Sequence, residues 1–364
     1  MILVLYILLS IYCLAIMTLI YGFNKVNSFE YLGLKPKTKF SIIVPFRNET
    51  ENLPQLLNSF SKLNYPADLF EVVLVDDASD CRLQIADFRF QVSVINNIRI
   101  SNSPKKDAIS TAMQVVKNDW IITTDADCVV NENWLSALDN HIQLHKVSMI
   151  AGAVSYHCEN SFLHHFQQLD LASLQGATIG SFGLKKGFMC NGANFAYTKS
   201  FFQKLNGFDG NDGIASGDDV FLLQKAIAQF PEKVHYLKSG NNIVITKPVN
   251  DWKSLSHQRV RWASKTGFYQ SKFGIGLGLI VFGGNLGLLF AVYCFLFRIG
   301  NFYLLIFLSL AKLAVDFALI NKTNVFLKNK THFFLTSSLL YPFFSVSVAV
   351  YSLFGKYEWK GRQF

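Results

Sequence analysis

Four polar clusters fall in a fixed order between hydrophobic segments: Asp76-Asp77, Asp125-Ala126-Asp127, Gly217-Asp218-Asp219 and Gln258-Arg259-Val260-Arg261-Trp262. Paired carboxylates can hold a hard divalent cation, take a proton from a hydroxyl, or accept a hydrogen bond from an imide N–H. An arginine can grip a diphosphate through two parallel hydrogen bonds, and a tryptophan offers an apolar face to a sugar or an anchor at a membrane interface. Taken singly, each acidic cluster is equally well a solvated turn, and Asp218 or Asp219 equally well a helix cap. Their fixed order along one chain is what suggests a common site.

The elements around these clusters would bring them together. Phe40 to Pro45 is a short apolar run of the kind that forms a buried parallel strand. Asn48 and Glu51 are spaced as a capping pair, and Leu53, Leu56, Leu57, Phe60 and Leu63 then recur at helical spacing up to Tyr65-Pro66. Glu71 to Val75 is a second strand, completing a βαβ unit that ends in Asp76-Asp77. A third strand over Val92 to Ile95, a helix over Asp107 to Val116 and a fourth strand over Trp120 to Thr124 follow, the last ending in Asp125. Both acidic pairs therefore fall at the carboxyl ends of parallel strands, the edge where open α/β sheets bind ligands. Neither Gly-x-Gly-x-x-Gly after the first strand nor Gly-x-x-x-x-Gly-Lys-Ser/Thr is present, which removes the main support for a dinucleotide fold or a P-loop.

Composition places the chain partly in lipid. It has 364 residues, 51% of them hydrophobic, with 34 Phe. Residues 1–24 carry no charge and are long enough to span a hydrocarbon core as an anchor; no basic start or small-residue cleavage site marks them as a cleaved signal. Phe273 to Phe297 and Phe333 to Gly355 are also uncharged, and Ile299 to Ile320 carries only Lys312 and Asp316, four apart and able to pair inside a bundle. Gly283 and Gly287 could let two helices approach closely. The expected organisation is an anchor over 1–24, a polar α/β domain over 25–272, two or three helices over 273–355 and a short basic tail over 356–364. Lys322, Lys328 and Lys330 place the loop at 321–332, and with it the polar domain, in the cytoplasm, at the inner membrane in a bacterium. Three crossings would then leave the tail outside, so either one segment is re-entrant or the tail is an exception.

The net charge of +9 is scattered, so a membrane face and phosphate contacts explain it better than nucleic acid. The six cysteines, Cys13, Cys81, Cys128, Cys158, Cys190 and Cys294, form no CxxC pair and support neither a disulfide framework nor a zinc site. His141 and His145, four apart, and His164-His165 lack a third ligand and read as surface histidines.

Five signatures in order resemble those of a family 2 glycosyltransferase with a GT-A domain: Ile43-Val44-Pro45-Phe46-Arg47-Asn48-Glu49, Val75-Asp76-Asp77-Ala78-Ser79, Thr124-Asp125-Ala126-Asp127, Gly217-Asp218-Asp219 and Gln258-x-x-Arg261-Trp262, with Lys105-Lys106 between the second and third. The resemblance covers about residues 40–265. Gln-x-x-Arg-Trp is similar to the membrane-embedded subset that includes cellulose and hyaluronan synthases and ceramide glucosyltransferases, and Trp359-Lys360-Gly361-Arg362 resembles the lipid-glycosylating branch. It implies an α/β fold with a Rossmann-like, mostly parallel sheet plus transmembrane helices, and a nucleotide-sugar donor, UDP by expectation.

By that resemblance Asp77 binds uracil in a pocket shaped by Pro45, Arg47 and Glu49, and Asp125 lies near the ribose. Asp127 holds a Mg2+ or Mn2+ ion at the diphosphate, and Lys105 and Lys106 lie near the same group, although Pro104 stands where the family often has Gly. Asp219 takes the proton from the acceptor hydroxyl in an inverting displacement, beside Asp218. Gln258, Arg261 and Trp262 attend the diphosphate and acceptor, and Phe188 to Asn194 lines the sugar pocket. The acceptor is expected to be a lipid or glycan, with Phe162 to Phe182 lining the way in. Alternatives are a processive polysaccharide synthase, a metal-dependent nucleotidyltransferase or phosphotransferase, and a transporter-like protein with an inactive nucleotide-sensing domain.

Overall fold

The computed structural model describes residues 2–80, 87–211, 213–354, 358–359 and 362–363, so Cys81 and the tail's Lys356, Lys360 and Gly361 lie outside the described residues. Its elements are α1 (Ile2–Lys25), β1 (Phe40–Phe46), α2 (Leu53–Ser61), β2 (Phe70–Asp76), β3 (Gln91–Asn96), α3 (Pro104–Val115), β4 (Trp120–Thr123), α4 (Trp134–Leu144), β5 (Met149–Gly152), β6 (Val154–Tyr156), α5 (Phe162–Gly183), β7 (Phe195–Thr198), α6 (Lys199–Lys204), α7 (Asp218–Gln229), β8 (Val234–Leu237), β9 (Val244–Thr246), α8 (Trp252–Ser264), α9 (Lys272–Leu296), α10 (Phe302–Phe326), α11 (Phe334–Phe354) and a terminal pair, β10 (Glu358–Trp359) and β11 (Arg362–Gln363). They form two units: Asn27–His157 with Met189–Lys247, and Met1–Val26 with Cys158–Phe188 and Pro248–Phe364. The units interleave along the chain. Residues 158–188 and 248–272, expected within the polar domain, group with the apolar helices.

The first unit is built on a seven-stranded sheet in the order β3-β2-β1-β4-β7-β5-β8. β1 runs parallel to β2 and β4, β2 to β3, and β5 to β8, while β7 is antiparallel to both its neighbours. This is the mostly parallel sheet with flanking helices that the sequence predicts. Continuous apolar runs bury both faces of β1 and β2, and Phe60 of α2 stacks on Trp134 of α4 at the centre of the core. Helix α2 starts later than the Asn48 and Glu51 spacing suggests. Asn48 has φ of 54° and binds Asp80, and the helix begins at Leu53 with Pro54 in its first turn, where a missing N–H costs nothing.

The second unit is helical. Four of its helices, α1, α9, α10 and α11, are long and apolar enough to cross a membrane. Lys312 donates to Asp316 at 2.8 Å, as its spacing predicts, and Tyr12 of α1 completes that carboxylate at 2.6 Å. A Cβ at Gly283 would lie 3.4 Å from Leu8 Cδ2, an ordinary contact. Among the glycines the closest approach joins α1 to α5, where a Cβ at Gly183 would lie 1.8 Å from the carbonyl oxygen of Gly22.

Candidate active site

The carboxyl ends of β1, β2 and β4 lie side by side, because Phe46 pairs with Asp76 and Ile43 with Thr123. On β2, Asp76 accepts the Ser79 N–H at 2.9 Å and so shapes the turn. The next carboxylate, Asp77, is buried; it accepts from Asn97 at 2.7 Å and lies 3.6 Å from Arg99, while Arg47 donates to its carbonyl at 3.1 Å. Asn97 also donates to the carbonyl of Pro104, tying this position to the start of α3. Pro104 is a first-turn proline, so Lys105 and Lys106 sit on the first turn of α3 rather than in the loop before it.

The two lysines have different fates. Lys105 reaches Asp125 at 2.6 Å and Asp218 at 3.6 Å, and although burial opposes its charge, these carboxylates hold its pKa above the ordinary lysine value. Lys106 is buried, donating to the carbonyls of Asn211 and Ile214, and so anchors the chain ahead of α7 instead of facing a phosphate position.

Helix α7 begins at a left-handed Gly217 with φ of 87°, and Asp219 Oδ1 accepts the Val220 N–H of its first turn at 2.7 Å. Both acids stand in the first turn, where the helix dipole favours negative charge. Asp219 accepts the Gly192 N–H at 2.8 Å, and Thr123 donates to the Gly192 carbonyl at 2.9 Å. A Cβ at Gly192 would come within 3.1 Å of both Lys105 Nζ and Asp218 Oδ2, which explains a small residue in this loop.

Asp127 is half-buried, accepting from Thr246 of β9 at 3.1 Å. Burial, then the charges of Asp125 and Glu49, push its carboxyl up to about 6. Burial and the same aspartates raise the neighbouring Cys128 thiol, which keeps its proton and is a poor ligand. Glu49 accepts from Asn52 at 2.7 Å, and Pro45 is half-buried on β1. Among the described residues no three carboxylate, histidine or cysteine groups are placed to hold a metal ion by themselves, so Asp127 could offer at most one oxygen ligand to a divalent cation completed by phosphate and water.

The sheet edge thus gathers Arg47, Glu49, Asp77, Lys105, Asp125, Asp127, Asp218 and Asp219. Gln258, Arg261 and Trp262 belong to α8 in the helical unit. There Arg259, to which the sequence reading gave no role, is the buried residue: it meets Asp170 of α5 at 2.5 Å, lies 4.2 Å from the Trp262 ring and donates to Gln258. Tyr341 of α11 donates to the same Asp170 at 3.0 Å. One signal was available, since Asp170 is the sole charged residue of α5. Thr246 had none.

Residues 41–205 match the family model described as Glycosyl transferase family 2. Among curated proteins, the poly(ribitol-phosphate) beta-N-acetylglucosaminyltransferase TarS of Staphylococcus aureus is 31% identical over 27% of this chain and 18% of its own length. Human polypeptide N-acetylgalactosaminyltransferase 10 is 30% identical over 42% of this chain and 25% of its own. The chain thus spans about a fifth to a quarter of the length of these relatives. Among solved structures, the mannosyltransferase PcManGT from Pyrobaculum calidifontis, in complex with GDP-Man and Mn2+, has a TM-score of 0.56 at 15% identity, covering 96% of this chain and 99% of that one; the likeness is one of fold.

Proposed function

We propose that this chain, in which residues 41–205 form a glycosyl transferase family 2 domain, moves a sugar from a UDP-sugar to a lipid-type acceptor at a membrane in one inverting displacement. The observation that carries this reading is the charge arrangement on one sheet edge, where Lys105 is held between Asp125 and Asp218 while Asp127 is crowded by like charges. Asp77 accepts from the base, within a pocket shaped by Pro45, Arg47 and Glu49, and Asp125 contacts the ribose. Lys105 faces the diphosphate. Asp127 is the protein ligand for Mg2+ or Mn2+, which when bound neutralises charge on the leaving diphosphate. A fold relative solved with a nucleotide sugar and Mn2+ supports that assignment.

Asp219 takes the acceptor proton, its carboxylate oriented by the Gly192 N–H. The four long apolar helices support a multi-pass membrane protein, and Lys328 and Lys330 between α10 and α11 support a cytoplasmic catalytic unit. Four candidate spans among the described residues support a membrane setting, and the acceptor proposed there is a lipid rather than a growing polymer.

The test is nucleoside diphosphate release from a panel of UDP- and GDP-sugars, with Mn2+ or Mg2+ and a lipid extract. Asp127→Ala is expected to lose metal-dependent donor binding. Asp219→Asn should keep that binding and lose turnover by roughly 10²–10⁴-fold. Release of pyrophosphate, or equal UDP affinity in wild type and Asp127→Ala with metal present, overturns the reading.

A further inference from the structure

Four lysines meet at one end of the helical unit. Lys25 is the last residue of α1, Lys185 and Lys186 follow the end of α5, and Lys322 lies one turn before the end of α10. Contacts between the helices bring these positions together. The Asn301 N–H, just before α10, donates to the Tyr6 hydroxyl of α1 at 2.9 Å, and the Lys322 ammonium lies 5.6 Å from the centre of the Phe23 ring, so α1 and α10 run in the same direction and end together. Helix α5 reaches the same end, with Gly180 against Leu19 and Gly183 against Gly22. Lys25, Lys185 and Lys186 are exposed and Lys322 is half-buried. Elsewhere in this unit Arg259 is matched by Asp170 and Lys312 by Asp316, whereas among the described residues none of these four lysines has a carboxylate partner. Residues 1–29, 171–208 and 317–357 contain no Asp or Glu at all.

A single lysine at a helix end answers the carbonyl dipole of that helix and needs no ligand. Here three helices contribute and α5 is followed by two. A second observation says what matches them. Leu14, Met17 and Tyr21 are exposed on α1 at positions i, i+3 and i+7, and Lys25 continues that stripe one turn further, its Nζ 5.0 Å from the centre of the Tyr21 ring. The stripe is apolar along its length and cationic at its end, the complement of a lipid with a negative headgroup. We infer that Lys25, Lys185, Lys186 and Lys322 bind the phosphate of an anionic glycerophospholipid whose acyl chains lie along Leu14, Met17 and Tyr21. The inference rests on the reading of α1 and α10 as membrane spans. Basic groups gathered between helix ends at the hydrocarbon boundary attract anionic headgroups, and tyrosine favours the same depth. A free phosphate would use the lysines and leave the stripe bare. A zwitterionic headgroup would bring its own ammonium among four others.

The experiment follows the unfolding temperature of the full chain in neutral detergent as phosphatidylglycerol, phosphatidylcholine or glycerol phosphate is added. Phosphatidylglycerol should raise it saturably while the other two leave it unmoved, and added NaCl should weaken the effect. Lys185→Gln with Lys186→Gln, both exposed and so compatible with folding, should raise the half-saturating phosphatidylglycerol concentration by about tenfold or more, and Lys25→Gln with Lys322→Gln should do the same. Lys328→Gln with Lys330→Gln, on the loop between α10 and α11, should change it by less than about twofold. Equal responses to the two phospholipids, a response to glycerol phosphate alone, unchanged half-saturation after Lys185→Gln with Lys186→Gln, or an equal loss from the loop pair overturns the proposal. A chain that stays dispersed without detergent overturns the membrane reading as well, which separates the two failures.

Discussion

Arg259 and Asp170 in the helical unit, each with 5% of its side chain exposed, meet at 2.5 Å, and Tyr341 completes the carboxylate. Asp127 in the sheet unit instead has a threonine hydroxyl for a partner and Asp125 and Glu49 for neighbours. Lys312, Asp316 and Tyr12 repeat the first pattern. A charge taken out of water within an apolar bundle has to be matched by its own chain, because the desolvation cost of leaving it alone is several kcal/mol. A carboxylate held among like charges costs stability and is matched from outside, which is the physical signature of a binding position. On the proposed reading, the contrast separates acids that build the fold from acids kept for a ligand.

The largest expected effect is on the matched side. Arg259→Leu strands Asp170 in the bundle and should cost about 3–5 kcal/mol, seen as a fall in the unfolding midpoint in detergent, while Arg259→Leu with Asp170→Leu should recover most of it. A loss under about 1 kcal/mol in the single variant would mean that the pair is solvated, and the contrast would fail. Next comes Gly183→Ala, which drives a methyl to 1.8 Å from the Gly22 carbonyl oxygen. Separating α1 from α5 should cost about 1–3 kcal/mol, measured in the same assay, with Gly276→Ala in open space on α9 as the control.

The first four strands and the acidic edge were legible because a buried parallel strand announces itself as an apolar run, and the residue after it is then fixed at the sheet edge. Asp77 and Asp125 follow from that alone. What the sequence could not show was partnership at long range. Lys105 and Lys106 are identical neighbours, yet the rotation of about 100° between adjacent helical positions sends the first to Asp125 and the second to backbone carbonyls over one hundred residues away. His141, expected at the surface, is buried beside His235, which lies 94 residues away. The interleaving of the two units was hidden for a related reason: α5 is as apolar as a core helix, and the glycine that seats it against α1 carries no periodic signal.

The smallest expected effect is the sharpest test of the unmatched side. Asp127 titrates near 6 in the folded chain, above the ordinary carboxylate value of about 4 that it regains on unfolding. The folded form therefore keeps its proton at pH values where the unfolded form has lost it. This destabilises nothing below about pH 4, sets in as the pH rises toward 6 and is constant above that. In chelator-treated buffer Asp127→Asn should accordingly be more stable than wild type by about 1 kcal/mol above pH 6, after allowance for solvent screening, and equal to it near pH 4. Adding Mn2+ and UDP should reverse the order, since only wild type gains from binding them. An asparagine variant that is less stable at every pH would show that Asp127 holds the fold together, as Asp170 does, and would remove it from the list of acids kept for a ligand.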